Sequence, residues 1–133
     1  MFCCPHFLPA VAVCSRNYQQ LLAPPVVLFK NFMEAGAIHY VQVDGTRLGG
    51  VSEFLTVSLL AKKLGLPVVP HVGDMGQLHQ HLVLFNHIAL GQEVLFLEHI
   101  PHLRDQFVFP ALVNNGRYQT PEEPASSCDL KLA

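Results

Sequence analysis

The chain has 133 residues, half of them hydrophobic, 14% charged, with a net charge of −2. That length suffices for one domain with a core but falls short of the roughly 250 residues of a complete (β/α)₈ barrel. Without a basic run it lacks the electrostatic footprint of a nucleic-acid binder, and no apolar run approaches the about 20 residues that a membrane-spanning helix needs.

Residues 1–25 form an irregular segment, broken by Pro5, Pro9 and the Pro24-Pro25 pair. Ala10-Val11-Ala12 has the small residues of a leader cleavage site, but no Lys or Arg precedes it, which argues against secretion. Cys3, Cys4, Cys14 and Cys128 show no C-x-x-C pairing, so neither a zinc site nor a disulfide framework is indicated, and a reducing, intracellular compartment fits best.

Residues 26–36 read as a short amphipathic helix ending at Gly36. Residues 37–44 follow as a first strand, with β-branched and aromatic Ile38, Tyr40, Val41 and Val43, and Asp44-Gly45 turns the chain. A helix capped by Ser52 is expected through Leu64, with Leu55, Leu59 and Leu60 facing the sheet, Lys62 and Lys63 near its negative end and Gly65 beyond it. Residues 67–70 read as a short dry strand suited to a parallel sheet. A second crossover helix spans 77–89, with Leu78, Leu82 and Phe85 on one face, and 93–97 supplies a third strand. Beyond Pro101 the pattern weakens: residues 107–113 read as extended, Asn114-Asn115-Gly116 as a turn and 121–127 as a polar tail.

Asp44, His71 and Glu98 close the three extended runs, and each stands 27 residues from the next. One strand with its crossover helix and loops takes about 30 residues. A right-handed crossover returns each strand in the same direction, so all three carboxyl ends open on one face, where ligands of parallel α/β folds bind. His71 is the best catalytic candidate, since imidazole titrates near neutrality and Asp44 on the neighbouring strand end would orient it. Glu98 is placed to donate a hydrogen bond or to stabilise a charge, and equal spacing is its sole support. The remaining histidines form no ligand cluster: His79 and His81 lie two apart on a helix and face different directions, and they read as solvated or hydrogen-bonded. Gly49-Gly50 and Gly73-Asp74-Met75-Gly76 match no nucleotide-binding fingerprint.

The segments VQVDGTRLGGVSEFLTVSLLAKKLGLPVVPHVGD and FLEHIPHLRDQF, with the motifs V-D-G-T-R-L-G and V-P-H-V-G, resemble the end of the catalytic barrel in the enolase superfamily, in its L-fuconate dehydratase branch. The resemblance runs from near Val27 to about Phe109. It implies an eight-stranded barrel with Asp44, His71 and Glu98 at the ends of the sixth, seventh and eighth strands. The reaction it implies removes the proton α to a sugar-acid carboxylate, with Mg²⁺ stabilising the enediolate, and expels the β-hydroxyl as water. His71 would transfer the proton, Asp44 would be its dyad partner, and Glu98 would stabilise the intermediate. The family's acidic Mg²⁺ ligands and Lys-x-Lys base belong to earlier strands and have no counterpart here. Lys62-Lys63 sits in a crossover helix and cannot replace them.

The expected architecture is therefore α/β: a partial (β/α) barrel of the last three parallel strands with two crossover helices. Residues 1–25 are an unrelated start, 26–113 the barrel part and 114–133 a polar tail. The expected protein is a C-terminal piece of a sugar-acid dehydratase, as in a truncated isoform, with no Mg²⁺ of its own and inactive alone, in a mitochondrial or cytoplasmic setting. A second expectation is a non-catalytic protein that self-associates or binds a partner through exposed sheet edges. A third, an independent α/β enzyme using the Asp44–His71 pair, lacks a visible nucleophile or cofactor site.

Overall fold

In the computed structural model, which describes residues 26–71, 76–93, 96–122 and 129–132, the first regular element is α1 (Val26–Glu34). It buries Phe29 and Met33, one turn apart on a single face. Gly36, at φ 64°, ends it, and the amides of Gly36 and Ala37 donate back to Met33 and Phe32. That left-handed position closes a Schellman turn, which glycine adopts without strain.

The next two extended runs form the expected parallel pair, though only a short one. Val41 N donates to Pro67 O and Val69 N to Val41 O, both at 2.9 Å, and His71 N donates to Val43 O at 3.0 Å. Between the runs stands α2 (Val51–Lys63). Its buried stripe is Phe54, Val57, Ser58 and Ala61 rather than the expected leucines, and Leu59 is 54% exposed. Those four positions repeat at i, i+3, i+4 and i+7, and small Ser58 and Ala61 let the helix approach the strands closely. The leucines flank the stripe, with Leu55 and Leu60 packed against the core from its margins. Ser52 is not the cap either. The helix begins after Gly50, and the Glu53 carboxylate accepts the Gly49 amide at 2.8 Å.

The third helix, α3 (Leu78–Leu90), ends at Gly91 in the left-handed conformation. It contributes Leu82 to the core of Phe29, Met33, Val41, Val43, Phe54, Val57, Ala61 and Val68. Full burial of such a side chain stabilises by about 1.5–3 kcal/mol. The expected third strand differs in the described part of its range: Glu93, Phe96 and Leu97 have no strand pairing. The Gln92 side chain instead accepts the Val68 amide at 3.0 Å, satisfying a donor that a neighbouring strand would otherwise take.

A 3₁₀ helix (Pro101–Gln106) leads to a minimal hairpin, β1 (Val113–Asn114) and β2 (Arg117–Tyr118). Asn115 and Gly116 both have positive φ, 51° and 71°, the geometry of a type I′ turn and of the expected Asn-Asn-Gly reversal. Residues 129–131 return to the 3₁₀ helix: Val108 N donates to Asp129 O and Lys131 N to Gln106 O, both at 2.8 Å. Residues 1–25 and all four cysteines lie outside the described residues, as does most of the Gly73–Gly76 loop.

Candidate active site

The carboxyl ends of the two paired runs carry Asp44 and His71, and the ladder sets them side by side. His71 Nδ1 lies 3.0 Å from Asp44 Oδ2. Glu98 reaches the other face of the ring, its Oε2 3.3 Å from His71 Nε2. The three residues that the sequence spacing singled out thus meet at one imidazole. The partners differ in kind: Asp44 makes a directed hydrogen bond, whereas Glu98 Oε2 is buried without a hydrogen-bond partner and acts through its proximity.

Asp44 is 2% exposed and its carboxylate is densely held. Oδ1 accepts from the Thr46 amide at 2.8 Å and from the Thr46 hydroxyl at 2.7 Å, closing an Asx turn. Oδ2 faces His71 and the Arg47 guanidinium, whose Nε is 3.2 Å away. Burial by itself would raise the Asp44 carboxyl, but the bonds from its neighbours, His71 foremost, outweigh it and hold the group well below the usual carboxylate range. The hydrogen bond to Asp44 raises His71 above its ordinary value; burial opposes the rise, the charges of Glu98 and Asp44 add to it, and Arg47 subtracts. Such an imidazole favours its cationic form and is poised as an acid. Behind the site, the Tyr118 hydroxyl donates to Glu98 O and anchors that segment. Burial, with the Glu98 charge, pushes the phenol up to about 12, so it remains a donor.

Sequence reasoning missed Thr46, Arg47, Tyr118 and His79. Asp44-x-Thr46 is an Asx-turn pattern that points to the first. His79 is fully buried, with Nε2 2.9 Å from Gly45 N and 3.1 Å from Asp44 Oδ1. One ring nitrogen cannot both accept from Gly45 and donate to Asp44. The Gly45 amide is directed at Nε2, so the ring accepts there. The spacing of His79 to Leu82, Val83 and Asn86, all buried, was the available clue.

Mg²⁺ is the metal implied by the sequence resemblance. Among the described residues no three His, Cys, Asp or Glu side chains form a metal-ligating group. Asp44 is already committed to Thr46, His71 and Arg47, and Glu98 sits against His71. These residues do not fit the ion.

Residues 25–131 match the family described as enolase C-terminal domain-like. The chain is 40% identical over 109 residues to mitochondrial enolase superfamily member 1 of Xenopus laevis and 41% identical over 107 residues to L-galactonate dehydratase of Hypocrea jecorina, in each case over 79% of this chain and 24% of the relative. It therefore spans about a quarter of the length of the curated relatives it matches. The crystal structure of human mitochondrial enolase superfamily member 1 superposes with a TM-score of 0.68 at 34% identity, over 79% of this chain and 25% of that one. L-talarate dehydratase from Polaromonas sp. JS666, complexed with Mg and L-glucarate, shares the fold at 24% identity and a TM-score of 0.57, over 76% of this chain and 26% of that one. With its α/β arrangement and a match over most of its length, the chain belongs to the enolase superfamily, in its C-terminal domain-like family.

Proposed function

We propose that this chain is the His71-bearing part of a sugar-acid dehydratase of the L-fuconate type, with His71 as the proton-transferring residue, Asp44 as the group that orients it and Glu98 as a stabiliser of the intermediate. The observation that supports this reading is the imidazole held between two carboxylates, at 3.0 Å on Nδ1 and 3.3 Å on Nε2. In dehydration a base that a longer protein would supply takes the Cα proton, the electrons of the broken Cα–H bond form an enediolate, and the β C–O bond then breaks as the hydroxyl accepts a proton and leaves as water. A cationic His71 has that proton to give from Nε2 while Asp44 holds Nδ1. Residues 26–113 would supply this half of the chemistry. Mg²⁺, which stabilises the enediolate when bound, would be held elsewhere in a longer protein, and this chain alone would be inactive. The names of its relatives favour a mitochondrial setting.

Two assays test the reading. The purified chain with Mg²⁺ and L-fuconate should form no 2-keto-3-deoxy acid, and detectable turnover would refute its inactivity. Residues 26–122 transplanted into the L-galactonate dehydratase should support turnover that His71→Asn lowers by about 10²–10⁴-fold. An unchanged rate would remove His71 from the reaction.

A second reading, self-association of a non-catalytic chain, is favoured by exposed apolar surface on α3, where Ile88 is 77% exposed. Beside it a cavity of about 650 Å³ opens between α3 and the hairpin, lined by Val83, Leu97 and Tyr118 among others. A monomer in analytical ultracentrifugation would exclude this reading.

A further inference from the structure

His79 stands in the first turn of α3. It is fully buried and packs edge-on to Phe54, with ring centroids 6.4 Å apart and planes at 72°. Its Nδ1 has no hydrogen-bond partner. An apolar side chain of similar volume would fill the space without that orphaned nitrogen, so shape alone does not call for an imidazole there. What the ring adds is Nε2, 2.9 Å from the Gly45 amide that donates to it.

That bond sits next to the catalytic carboxylate. On one side of Asp44, Val43 O accepts the His71 amide at 3.0 Å. On the other, Gly45 N is held by His79. The peptide flanks of Asp44 are thus tied to the second strand and to α3 at once, and the remaining freedom of its side chain is taken up by Thr46 on Oδ1. Gly45 makes the close approach feasible: a Cβ there would stand 3.1 Å from Leu82 Cδ1 and 3.7 Å from His79 Nε2.

We infer that His79 is a positioning residue for the Asp44–His71 pair: by accepting the Gly45 amide it fixes the peptide after Asp44, and so aims Oδ2 at His71 Nδ1. The inference rests on the reading of His71 as the proton carrier, and it adds a third residue, on a different helix, to the machinery that orients it. The charged and titratable groups facing His71 are Asp44, Glu98 and Arg47, and those facing Asp44 are His71, His79 and Arg47.

The test uses the full chain labelled with ¹⁵N. A coupling across the hydrogen bond between the Gly45 amide nitrogen and His79 Nε2 is expected in the unaltered protein, and its absence in a spectrum that resolves both nuclei would overturn the assignment. In His79→Leu the His71 titration midpoint should fall towards the ordinary histidine value, and in His79→Gln, whose side-chain oxygen can accept the same amide, it should stay near that of the parent. An unchanged His71 midpoint in folded His79→Leu would also overturn it. If His79→Leu does not fold, the coupling and the His79→Gln midpoint decide: a lost coupling, or a midpoint that falls in spite of a retained amide bond, counts against the inference. None of these readouts is turnover, so a failure of the dehydratase reading shows in the transplant assay and a failure of this one in the spectra.

Discussion

Asp44 and Glu98 flank the same imidazole and are built into the protein in opposite ways. Asp44 ends a run that pairs with the neighbouring strand, is 2% exposed and has both oxygens bonded. Glu98 carries no strand pairing, its side chain is 32% exposed, and its backbone carbonyl accepts from the Tyr118 phenol. The difference separates two jobs that a carboxylate can do for a histidine. A buried, multiply bonded carboxylate sets direction, because moving it would break several bonds at once. A carboxylate on a partly exposed side chain contributes charge, and solvent screens part of it.

The largest expected effect comes from removing the directing partner. Asp44→Ala leaves His71, the Thr46 amide and hydroxyl and Arg47 without their acceptor, and should cost about 3–5 kcal/mol in urea unfolding; a cost below about 1 kcal/mol would show that the two carboxylates are held alike. The same contact sets an acid limit. The folded-state value of Asp44 is depressed, so its stabilisation is present above the ordinary carboxylate value of about 4 and is lost as pH falls through the lower folded value. Asp44→Asn should flatten that acid arm, as read from urea midpoints against pH.

Gly45→Ala probes the packing behind Asp44. The added methyl would press on Leu82, and a cost of about 1–3 kcal/mol is expected by thermal unfolding. No cost would mean that α3 stands off from the strand end and exerts no hold on Asp44.

On the Glu98 side the effects are smaller. Tyr118→Phe deletes the donor to Glu98 O and should cost about 1 kcal/mol, with faster amide exchange around residues 98–100 than around 43–45. Equal exchange in the two regions would abolish the contrast. Glu98→Gln should cost at most about 1 kcal/mol while lowering the His71 titration midpoint. His71 has a raised folded-state value, so its stabilisation is fully present below about pH 6.5 and is lost as pH rises through the folded value. Glu98→Gln should therefore end that alkaline decline at a lower pH and make it smaller, and an unmoved decline would assign the whole effect to Asp44.

Much of this site was legible because parallel strands and crossover helices have a characteristic length. Equal spacing of Asp44, His71 and Glu98 anticipated their meeting, and Asn115-Gly116 announced its own turn. Other features were not legible, for physical reasons. Leucine is the most apolar choice on α2, yet the helix buries the stripe of Phe54, Val57, Ser58 and Ala61, since close packing against strands rewards small residues that hydrophobicity alone undervalues. His79 and His81 look alike in sequence, and only the rotation of α3 against the core sends one inward to Gly45 and leaves the other partly exposed.

The sequence by itself determined the local elements and their polarity: where glycines end helices, where β-branched runs extend, and which ionisable residues stand at the ends of those runs. These follow from backbone sterics and short-range periodicity, which act within a few residues. The tertiary structure alone decided which face of each helix is buried, that Val68 is capped by a glutamine side chain, and that Asp44 directs His71 while Glu98 only charges it. Those outcomes depend on contacts between residues dozens of positions apart, where packing and the pairing of buried polar groups choose among arrangements that local preference leaves equal.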